Sequence, residues 1–405
     1  MSSLQAKLQQ AALYTACAAP VADIVSIAAG QILMGIALVL LVVSRTPLRV
    51  PRVWPALVLF MIGTVISDLA SGDPRAGLPQ IKKFYVFVVL VVVYSAVKSL
   101  RQIRTMWLFF AAAAVVNAGW AIQQYWDKVQ EAAELNRDFY SFYIANRITG
   151  FQDHWMTFSG LEMMVVLAVA SLLLFGVVDR RVMIAVAAAC AVMLTGVVLS
   201  DTRSVWLAVG VGGCFLLAIW KPKLLALVPV VLAASYVVAP MSLKQRVTSI
   251  YRPHGTMDSN EHRKVTTITG WQMIKAHPLL GVGPQRVGAE FNSYVPTWVH
   301  RPLPSGYYGH LHSIYIHFAA ERGIPTMLAL ICAILGALID FIRGARHSQG
   351  LRRAILYGSA AVILGILVEG FFELNLGDSE PLALFLSILA CGYVALEQPP
   401  EPINA

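Results

Sequence analysis

Residues 306–342 read "GYYGHLHSIYIHFAAERGIPTMLALICAILGALIDFI" and pass from a polar, histidine-rich segment directly into a long apolar one. The apolar part, from about residue 312, is longer than the roughly 20 residues that cross a bilayer. It contains Glu321 and Arg322, which are costly at membrane depth unless they pair with each other. The stretch therefore predicts a membrane-spanning helix whose polar beginning lies at the membrane surface.

The composition of the whole chain is typical of a membrane protein. Of its 405 residues, 58% are hydrophobic and 13% are charged, whereas soluble domains have about 25% charged residues. The first apolar run, 8–43, is long enough for two helices with a turn near Gly30, and we interpret it as uncleaved because the apolar pattern resumes through Val43. We therefore expect an all-α integral membrane protein with about 12 transmembrane helices, or eleven if the first run is a single tilted helix. The other runs are 53–69, 81–98, 103–125, 155–178, 182–200, 203–219, 223–240, 312–342, 353–373 and 381–396.

Basic residues are distributed unevenly between alternate loops. One set of short loops carries fourteen basic residues and a single acid, Asp179, so the positive-inside rule makes this face cytoplasmic. The other face would lie in the periplasm of a bacterial inner membrane, and both termini would be cytoplasmic. The net charge of +9 is then a topology signal that requires no nucleic acid partner. The fourteen residues are Arg45, Arg49, Arg52, Lys98, Arg101, Arg104, Arg180, Arg181, Lys221, Lys223, Arg343, Arg346, Arg352 and Arg353.

This topology divides the chain into four parts. Residues 1–240 form an N-terminal transmembrane bundle of about nine spans, and residues 241–311 form a large, partly helical periplasmic loop subdomain before the third-last span. Residues 312–396 form the C-terminal transmembrane helices, and residues 397–405 form a cytoplasmic tail.

One helix is expected in the large loop, at about 260–276. Asp258 followed by Glu261 resembles a capping box at its start, and Pro278 ends it. Its apolar stripe is expected to comprise Val265, Ile268, Trp271 and Met273.

Several cations fall on the outer face, where the positive-inside rule disfavours them. A single such residue is explained by contact with lipid headgroups, but separate spans and loops all deliver cations to this one surface. Most are arginines, whose planar fork suits phosphate oxygens. The ensemble predicts a polyanionic ligand at headgroup level, and the residues are Lys82, Lys83, Arg147, Arg203, Arg263 and Arg286.

The histidines of the opening stretch suggest a base better than a metal site. His312 and His317 are five residues apart, about 140° around a helix. His310 and His312 could chelate from an extended segment, but no Cys or carboxylate cluster at ligand spacing accompanies them, so no metal is expected. His317 is interpreted as a packed core residue. His312, where loop and span meet, has the position of a general base held by a rigid helix and open to water.

Two other cofactor classes are not indicated. "GVGP" at 281–284 is not followed by a Walker lysine, so ATP use is not expected. The five cysteines lie far apart in or beside apolar runs, which indicates neither a disulfide framework nor a redox motif.

Three motifs resemble a known superfamily. "DTRSVWLAV" (201–209), "EHRKVTTITGWQMIKAHPLLGVGP" (261–284) and "HLHSIYIHFAAERGIPTML" (310–328) occur in the order found in the O-antigen ligase and polymerase superfamily. The similarity is greatest to the O-antigen ligases of lipopolysaccharide assembly (WaaL). The family's histidine motif usually reads His-Asn, and Ser313 replaces the Asn here.

The resemblance implies a function and a site. By carry-over, His312 activates the acceptor hydroxyl, Arg203 and Arg263 engage the donor's pyrophosphate, and Arg147, in a segment similar to the family's R-x-x-G-F, contacts the same anion. Lys82, Lys83 and Arg286 are assigned to that anion by location and charge alone. The implied reaction is a metal-independent, inverting glycosyl transfer from undecaprenyl pyrophosphate-linked O-antigen to a lipid A core sugar. It needs no cofactor and takes place among membrane lipids on a GT-C-like fold.

Alternative functions remain open at this point. An O-antigen polymerase or a protein O-oligosaccharyltransferase would use the same donor with a different acceptor. A non-enzymatic flippase of the lipid-linked glycan would place charges near the bilayer midplane, whereas these charges cluster at one surface.

Overall fold

A computed structural model describes residues 3–176, 179–252 and 260–399. The chain is 78% helical, without strands in those ranges. Asp258 of the expected capping box lies outside the described residues, as does most of the expected tail, from residue 400. In chain order the α-helices are α1 Ser3–Asp23, α2 Ile27–Val43, α3 Trp54–Ala70, α4 Pro74–Lys82, α5 Val88–Ala96, α6 Leu100–Glu134, α7 Phe139–Ala145, α8 Trp155–Leu174, α9 Arg180–Leu199, α10 Arg203–Trp220, α11 Val228–Val238, α12 Met241–Thr248, α13 Asn260–Ala276, α14 Val287–Tyr294, α15 Ile314–Arg322, α16 Ile324–Arg346, α17 Gly350–Glu369 and α18 Ser379–Glu397.

The apolar helices agree with an integral membrane protein. Within the described ranges, eight segments are long and apolar enough to cross a membrane. Three shorter apolar helices, Ile27–Val43, Trp54–Ala70 and Pro222–Val238, accompany them. Together with α1 they make twelve segments, the number expected from the apolar runs, but whether all twelve span remains a prediction. The eight are Pro74–Ala96, Leu100–Glu134, Trp155–Leu174, Arg180–Leu199, Arg203–Trp220, Ile324–Arg346, Gly350–Glu369 and Ser379–Glu397.

Helices α8, α17 and α18 form the centre of the bundle. Each is predominantly apolar and most of its residues are buried, as expected for a helix enclosed by others. Helix α11 is the opposite case, because none of its residues is buried by protein. Its apolar surface therefore suits lipid.

The turn between the first two helices lies earlier than expected. Residues 24–26 separate α1 from α2, and Gly30 lies inside α2. A Cβ on Gly30 would fall 1.8 Å from an oxygen of Asp23. The expectation of a turn near Gly30 was therefore wrong, because this glycine serves the close packing of the two helices.

The expected span 312–342 is interrupted. Helix α15 ends at Arg322, Gly323 takes a left-handed conformation with φ 84°, and α16 begins at Ile324. His312 lies ahead of α15, whose N-cap is Ser313, so the expectation that a helix holds His312 was wrong. The break follows from close packing, since a Cβ on residue 323 would fall 1.9 Å from the carbonyl oxygen of Leu279.

The outer loop clamps the end of α15. The backbone N–H of Val282 donates to Ala320 O at 2.9 Å, and that of Gly283 donates to Glu321 O at 2.9 Å. These bonds satisfy carbonyls that a helix end otherwise leaves unpaired. The "GVGP" segment is thus a structural clamp.

The expected pair of Glu321 and Arg322 is present. Arg322 Nε donates to Glu321 Oε2 at 2.9 Å, and both side chains are buried. The guanidinium also donates to Thr64 Oγ1 at 3.2 Å and to Gln80 Oε1 at 3.1 Å. These contacts tie α15 to α3 and α4 and reduce the cost of burying the charges.

The expected helix at 260–276 is confirmed as α13. Its buried face differs from the expected stripe, because Trp271 is 54% exposed and Gly270 faces α15 instead. A Cβ on Gly270 would fall 2.5 Å from Ile316, so α13 comes very close to the helix that follows His312. Val265 and Met273 are buried in a small core that includes Phe291.

Candidate active site

A cavity of about 870 Å³ lies at one end of the bundle. Its walls come from the ends of α7 and α17, the beginnings of α8, α10, α13 and α18, helix α12 and the loop before α15. At the opposite end of the bundle, loops rich in basic residues pack together. Arg49 pairs there with Glu397, and Arg352 Nε donates to Ala395 O at 3.0 Å. The cavity therefore lies away from the face with the basic short loops.

Four arginines line this cavity within the described part of the chain: Arg147, Arg203, Arg246 and Arg263. Arg203 begins α10 and donates to Ser249 Oγ at 3.0 Å and to Asn260 Oδ1 at 2.7 Å. These bonds hold α10 against the segments that carry Arg246 and Arg263. The sequence thus predicted three of the four arginines that the fold brings together.

The remaining arginines are also held in place. Arg147 lies over the ring of Trp155, with Cζ 4.1 Å from the ring centroid, a cation–π arrangement. Arg246 Nε donates to the backbone oxygen of Asp201 at 2.9 Å. Sequence analysis missed Arg246 because nothing in the sequence around α12 distinguishes it from other loop cations.

His312 faces the same cavity and is paired with a carboxylate. Its Nδ1 lies 3.2 Å from Glu373 Oε2, and its Nε2 lies 3.4 Å from Tyr307 O. A neutral imidazole has one N–H, and the carboxylate is the closer and stronger acceptor. The proton therefore belongs on Nδ1, which leaves the Nε2 lone pair available as a base.

Residues 188–331 match the family model described as O-antigen ligase. The match confirms the resemblance to the O-antigen ligase superfamily over 144 of the 405 residues. It includes Arg203, Arg263 and His312, whereas Arg147 and Glu373 lie outside it. No curated protein matches the chain.

Glu373 connects His312 to the arginines of the cavity. Besides His312, its Oε2 lies 3.8 Å from Arg263 Nη2, and its Oε1 lies 3.9 Å from His310 Nε2. Burial alone would raise the pKa of Glu373, but the hydrogen bond and charge of His312, with His310 and Arg263, lower that pKa to about 2. The carboxylate thus stays ionised and holds the imidazole N–H.

Sequence analysis did not find Glu373. It lies 61 residues from His312 in the chain, just beyond the end of α17, and no spacing rule links the two. The available signal was an acid immediately after a span on the outer face, which many unpaired surface acids also give.

The four arginines that line the cavity, Arg147, Arg203, Arg246 and Arg263, form an arginine wall that carries buried positive charge. Burial, with the neighbouring Arg246 and Arg263, lowers the pKa of Arg147 to about 9. Burial raises the pKa of Asp201 to about 7, although Arg246, Arg147 and Arg203 oppose the shift. At neutral pH Asp201 therefore compensates the arginines only in part, and the wall is suited to an anion.

His310, His312 and Glu373 also lie close enough together to hold a metal ion, which sequence spacing did not reveal. Their ligand atoms lie within 4.8 Å of one another. Burial, then His312, lowers the pKa of His310 to about 3, so its ring is neutral and able to ligate. Against a cation stands the fixed charge of Arg263 beside the same carboxylate. The arrangement fits a charge-paired histidine better than a metal ion.

The other predicted anion contacts do not line the cavity. Arg286 pairs with Glu290 at 2.5 Å, and Lys83 Nζ donates to Gly377 O at 2.8 Å. Lys82 is exposed at the end of α4. The structure therefore does not bring these three residues together with the four arginines, because location on the outer face does not imply a shared cavity. His317 is buried 3.5 Å from Glu321 Oε1, in agreement with a core residue.

Proposed function

We propose that the protein is an O-antigen ligase. It transfers O-antigen from undecaprenyl pyrophosphate to a hydroxyl of a lipid A core sugar at the periplasmic face of the bacterial inner membrane. The observation that carries this proposal is the single cavity in which four arginines face the paired His312 and Glu373. The O-antigen ligase match and the multi-pass architecture support the donor class.

The arginines serve the leaving group. When the bond between the anomeric carbon and the diphosphate oxygen breaks, the diphosphate departs with the electron pair and its negative charge grows. Arg203 and Arg263 engage these oxygens, with Arg147 and Arg246 beside them. Preorganised cations at developing charge are worth about 10² to 10³ in rate for each contact removed.

His312 serves the acceptor. Its Nε2 takes the proton of the attacking hydroxyl as the new bond to the anomeric carbon forms on the face opposite the diphosphate, so the configuration inverts. Glu373 holds Nδ1–H and stabilises the imidazolium that results. General base catalysis contributes about 10² to 10⁴ in rate. Arginine cannot take this role because it stays protonated.

Other acceptors are compatible with the same cavity. A second glycan would make the protein a polymerase, and a Ser or Tyr of a protein would make it an O-oligosaccharyltransferase. A flippase would move the donor without a new bond, and the histidine–carboxylate pair would then have no substrate to deprotonate. The core acceptor rests on resemblance, so the experiment varies the acceptor.

The test is reconstituted transfer with purified protein, lipid-linked glycan and lipid A core, without ATP and with EDTA present. We expect wild type to attach glycan to core. In His312→Ala the rate of transfer should fall by at least about 10², as for removal of a general base. In Arg203→Ala and in Arg263→Ala the rate of transfer should fall by about 10² to 10³. Product is scored on gels by its mobility.

The matched control is Arg286→Ala, which removes an outer-face arginine that does not line the cavity. Its rate should stay within about twofold of wild type, as for a surface substitution. Elongated glycan without attachment to core would identify a polymerase, and glycan on protein an O-oligosaccharyltransferase. Loss of activity in EDTA with recovery in Zn²⁺ would show that the cluster of His310, His312 and Glu373 holds a metal.

A further inference from the structure

The cavity is also lined by a carboxyl that the proposed mechanism does not use, that of Glu369. Together with Asn375, Gly160, Thr157 and Asp378 it forms what we call the floor of the cavity. Glu369 is the last residue of α17, one helical turn before Glu373, and it is 1% exposed. Its Oε2 accepts from Asn375 Nδ2 at 3.1 Å. Its Oε1 has no hydrogen-bond partner in the described ranges, and neither has Asn375 Oδ1. Both residues line the cavity.

Two unpaired acceptors in one buried place are unusual. Buried polar groups nearly always have hydrogen-bond partners, and a buried acceptor without one destabilises the fold. No ion pair to Glu369 exists among the residues that the structure describes, so a neighbouring side chain does not account for it. A ligand that donates hydrogen bonds would satisfy both oxygens.

A glycine, rather than a residue with a side chain, lies beside this carboxyl. Gly160 of α8 faces Glu369, and a Cβ there would come 3.3 Å from Oε1. Nearby, Thr157 donates to Asp378 Oδ2 at 3.3 Å, and both residues also line the cavity. The floor thus presents acceptor oxygens, in contrast to the arginine wall.

We propose that Glu369 and Asn375 form a subsite for the hydroxyl groups of a sugar ring. This inference rests on the proposed function and names where the sugar lies. Hydroxyl groups donate to carboxyl and amide oxygens, whereas the oxygens of a diphosphate accept hydrogen bonds and would leave Glu369 and Asn375 unsatisfied. The two walls therefore orient the substrates, with the diphosphate against the arginines and a sugar against Glu369. The ring belongs either to the donor's first sugar or to the acceptor.

The test measures KM for donor and for acceptor separately in the reconstituted transfer. Glu369→Met keeps the side chain's length and removes both acceptor oxygens, so KM for one of the two substrates should rise about 10- to 100-fold, as for a lost buried hydrogen bond. Glu369→Gln retains an acceptor oxygen and should recover most of that loss. The substrate whose KM rises identifies the sugar.

The matched control is Glu162→Met. Glu162 is also fully buried in the bundle with one unpartnered oxygen, and it accepts from Asn117 Nδ2 at 3.1 Å, but it does not line the cavity. Its KM values should stay within about twofold of wild type, as for sites away from the substrate. Gly160→Ala provides a second variant, because its methyl group narrows the space beside Oε1 and should raise the same KM.

Monodeoxy analogues of the two reacting sugars separate recognition from folding. With wild type, the KM of the analogue that lacks the recognised hydroxyl should be about 10- to 100-fold higher than that of the natural sugar. With Glu369→Met the two KM values should be almost equal, since the analogue and the substitution each remove the same contact. Unchanged KM values in Glu369→Met, with wild type active, would overturn the subsite alone. Absence of transfer by wild type would overturn the proposed function and the subsite with it.

Discussion

His312 is held in a left-handed backbone conformation, with φ 49°. A residue other than glycine rarely adopts this left-handed region of φ and ψ. Contacts with the surrounding structure must offset the free energy that this conformation costs. Here the next two residues are fixed, because Ser313 caps α15 and Ile314 N donates to Gly370 O at 2.8 Å. The second bond joins the loop before α15 to the end of α17. The same junction brings His312 to Glu373.

The pairing of His312 with Glu373 makes a residue-level prediction. Glu373→Gln keeps the shape of the side chain but removes the charge that stabilises the imidazolium. We expect kcat to fall about 10- to 100-fold, since hydrogen bonds to charged groups are worth about 1.5 to 3 kcal/mol, while KM changes little. Steady-state transfer kinetics measure both constants. A kcat equal to that of wild type would remove Glu373 from the mechanism.

Asp201 makes a prediction about pH. Its pKa is raised to about 7 by burial, so it is mostly neutral at pH 6 and mostly ionised at pH 8. The added negative charge beside Arg246, Arg147 and Arg203 repels a bound anion. The contribution of this site to anion affinity in wild type should therefore fall as pH rises. Asp201→Asn stays neutral and should bind inorganic pyrophosphate more tightly than wild type at pH 8, by about 3- to 10-fold.

Calorimetric titration at pH 6 and pH 8 measures these affinities. Pyrophosphate itself gains charge with pH, so the informative quantity is the affinity ratio between variant and wild type at each pH. The ratio should be close to one at pH 6 and larger at pH 8. An identical ratio at both pH values would show that Asp201 does not titrate in this range.

At the level of elements, helix α15 is fixed at both ends. Its beginning joins α17 through Ile314, and its end is clamped by the loop at 281–283 and by the pair of Glu321 and Arg322. The helix therefore acts as a rigid link between the outer loop and the bundle. Its position determines where the preceding His312 lies.

Gly323 is the residue at which this arrangement is most easily tested. Gly323→Ala adds a Cβ 1.9 Å from Leu279 O at a φ of 84°, so the backbone must shift and we expect a loss of about 1 to 3 kcal/mol in stability. Transfer activity should fall as well, because α15 positions His312. Thermal unfolding in detergent and the transfer assay measure the two effects.

Gly336→Ala is the matched control for that substitution. Gly336 lies within α16 and a Cβ there meets no atom within 4 Å. Alanine is the better helix former by about 1 kcal/mol, so stability and activity should be at least those of wild type. Equal losses in both variants would show that α15 is not specifically clamped.

The whole molecule has two chemically different ends. The cavity lies at one, and the short loops with fourteen basic residues and a single acid lie at the other. Under the positive-inside rule the basic end is cytoplasmic. Lys223, at the beginning of the apolar segment Pro222–Val238, and Tyr251, in the outer loop that follows it, should therefore lie on opposite sides of the membrane. Both side chains are exposed.

Cysteine labelling tests this orientation. In intact spheroplasts, Tyr251→Cys should react with a membrane-impermeant maleimide, whereas Lys223→Cys should react only after the membrane is permeabilised. Wild type provides the background, since its five cysteines are all free. The reverse pattern would place the cavity in the cytoplasm, away from the proposed substrates.

Much of this molecule was predictable because the relevant signals are local. Apolar runs indicated nearly every helix of the bundle, whereas the membrane orientation inferred from charge counts on short loops stays a prediction. Three of the arginines and the candidate base were identified by residue type and by resemblance. Lys82, Lys83 and Arg286 were chosen by the same reasoning, but sharing a membrane face did not bring them to the cavity.

The sequence by itself determined the membrane class and the helix content, and it indicated the histidine and three of the four arginines that line the cavity. These follow from hydropathy, charge and side-chain chemistry, which each segment carries independently of its neighbours. Only the tertiary structure decided that Glu373 orients His312, that Arg246 joins the arginine wall, and that Gly323 divides the expected span. These depend on contacts between segments far apart in the chain, which form when close packing brings helix ends together.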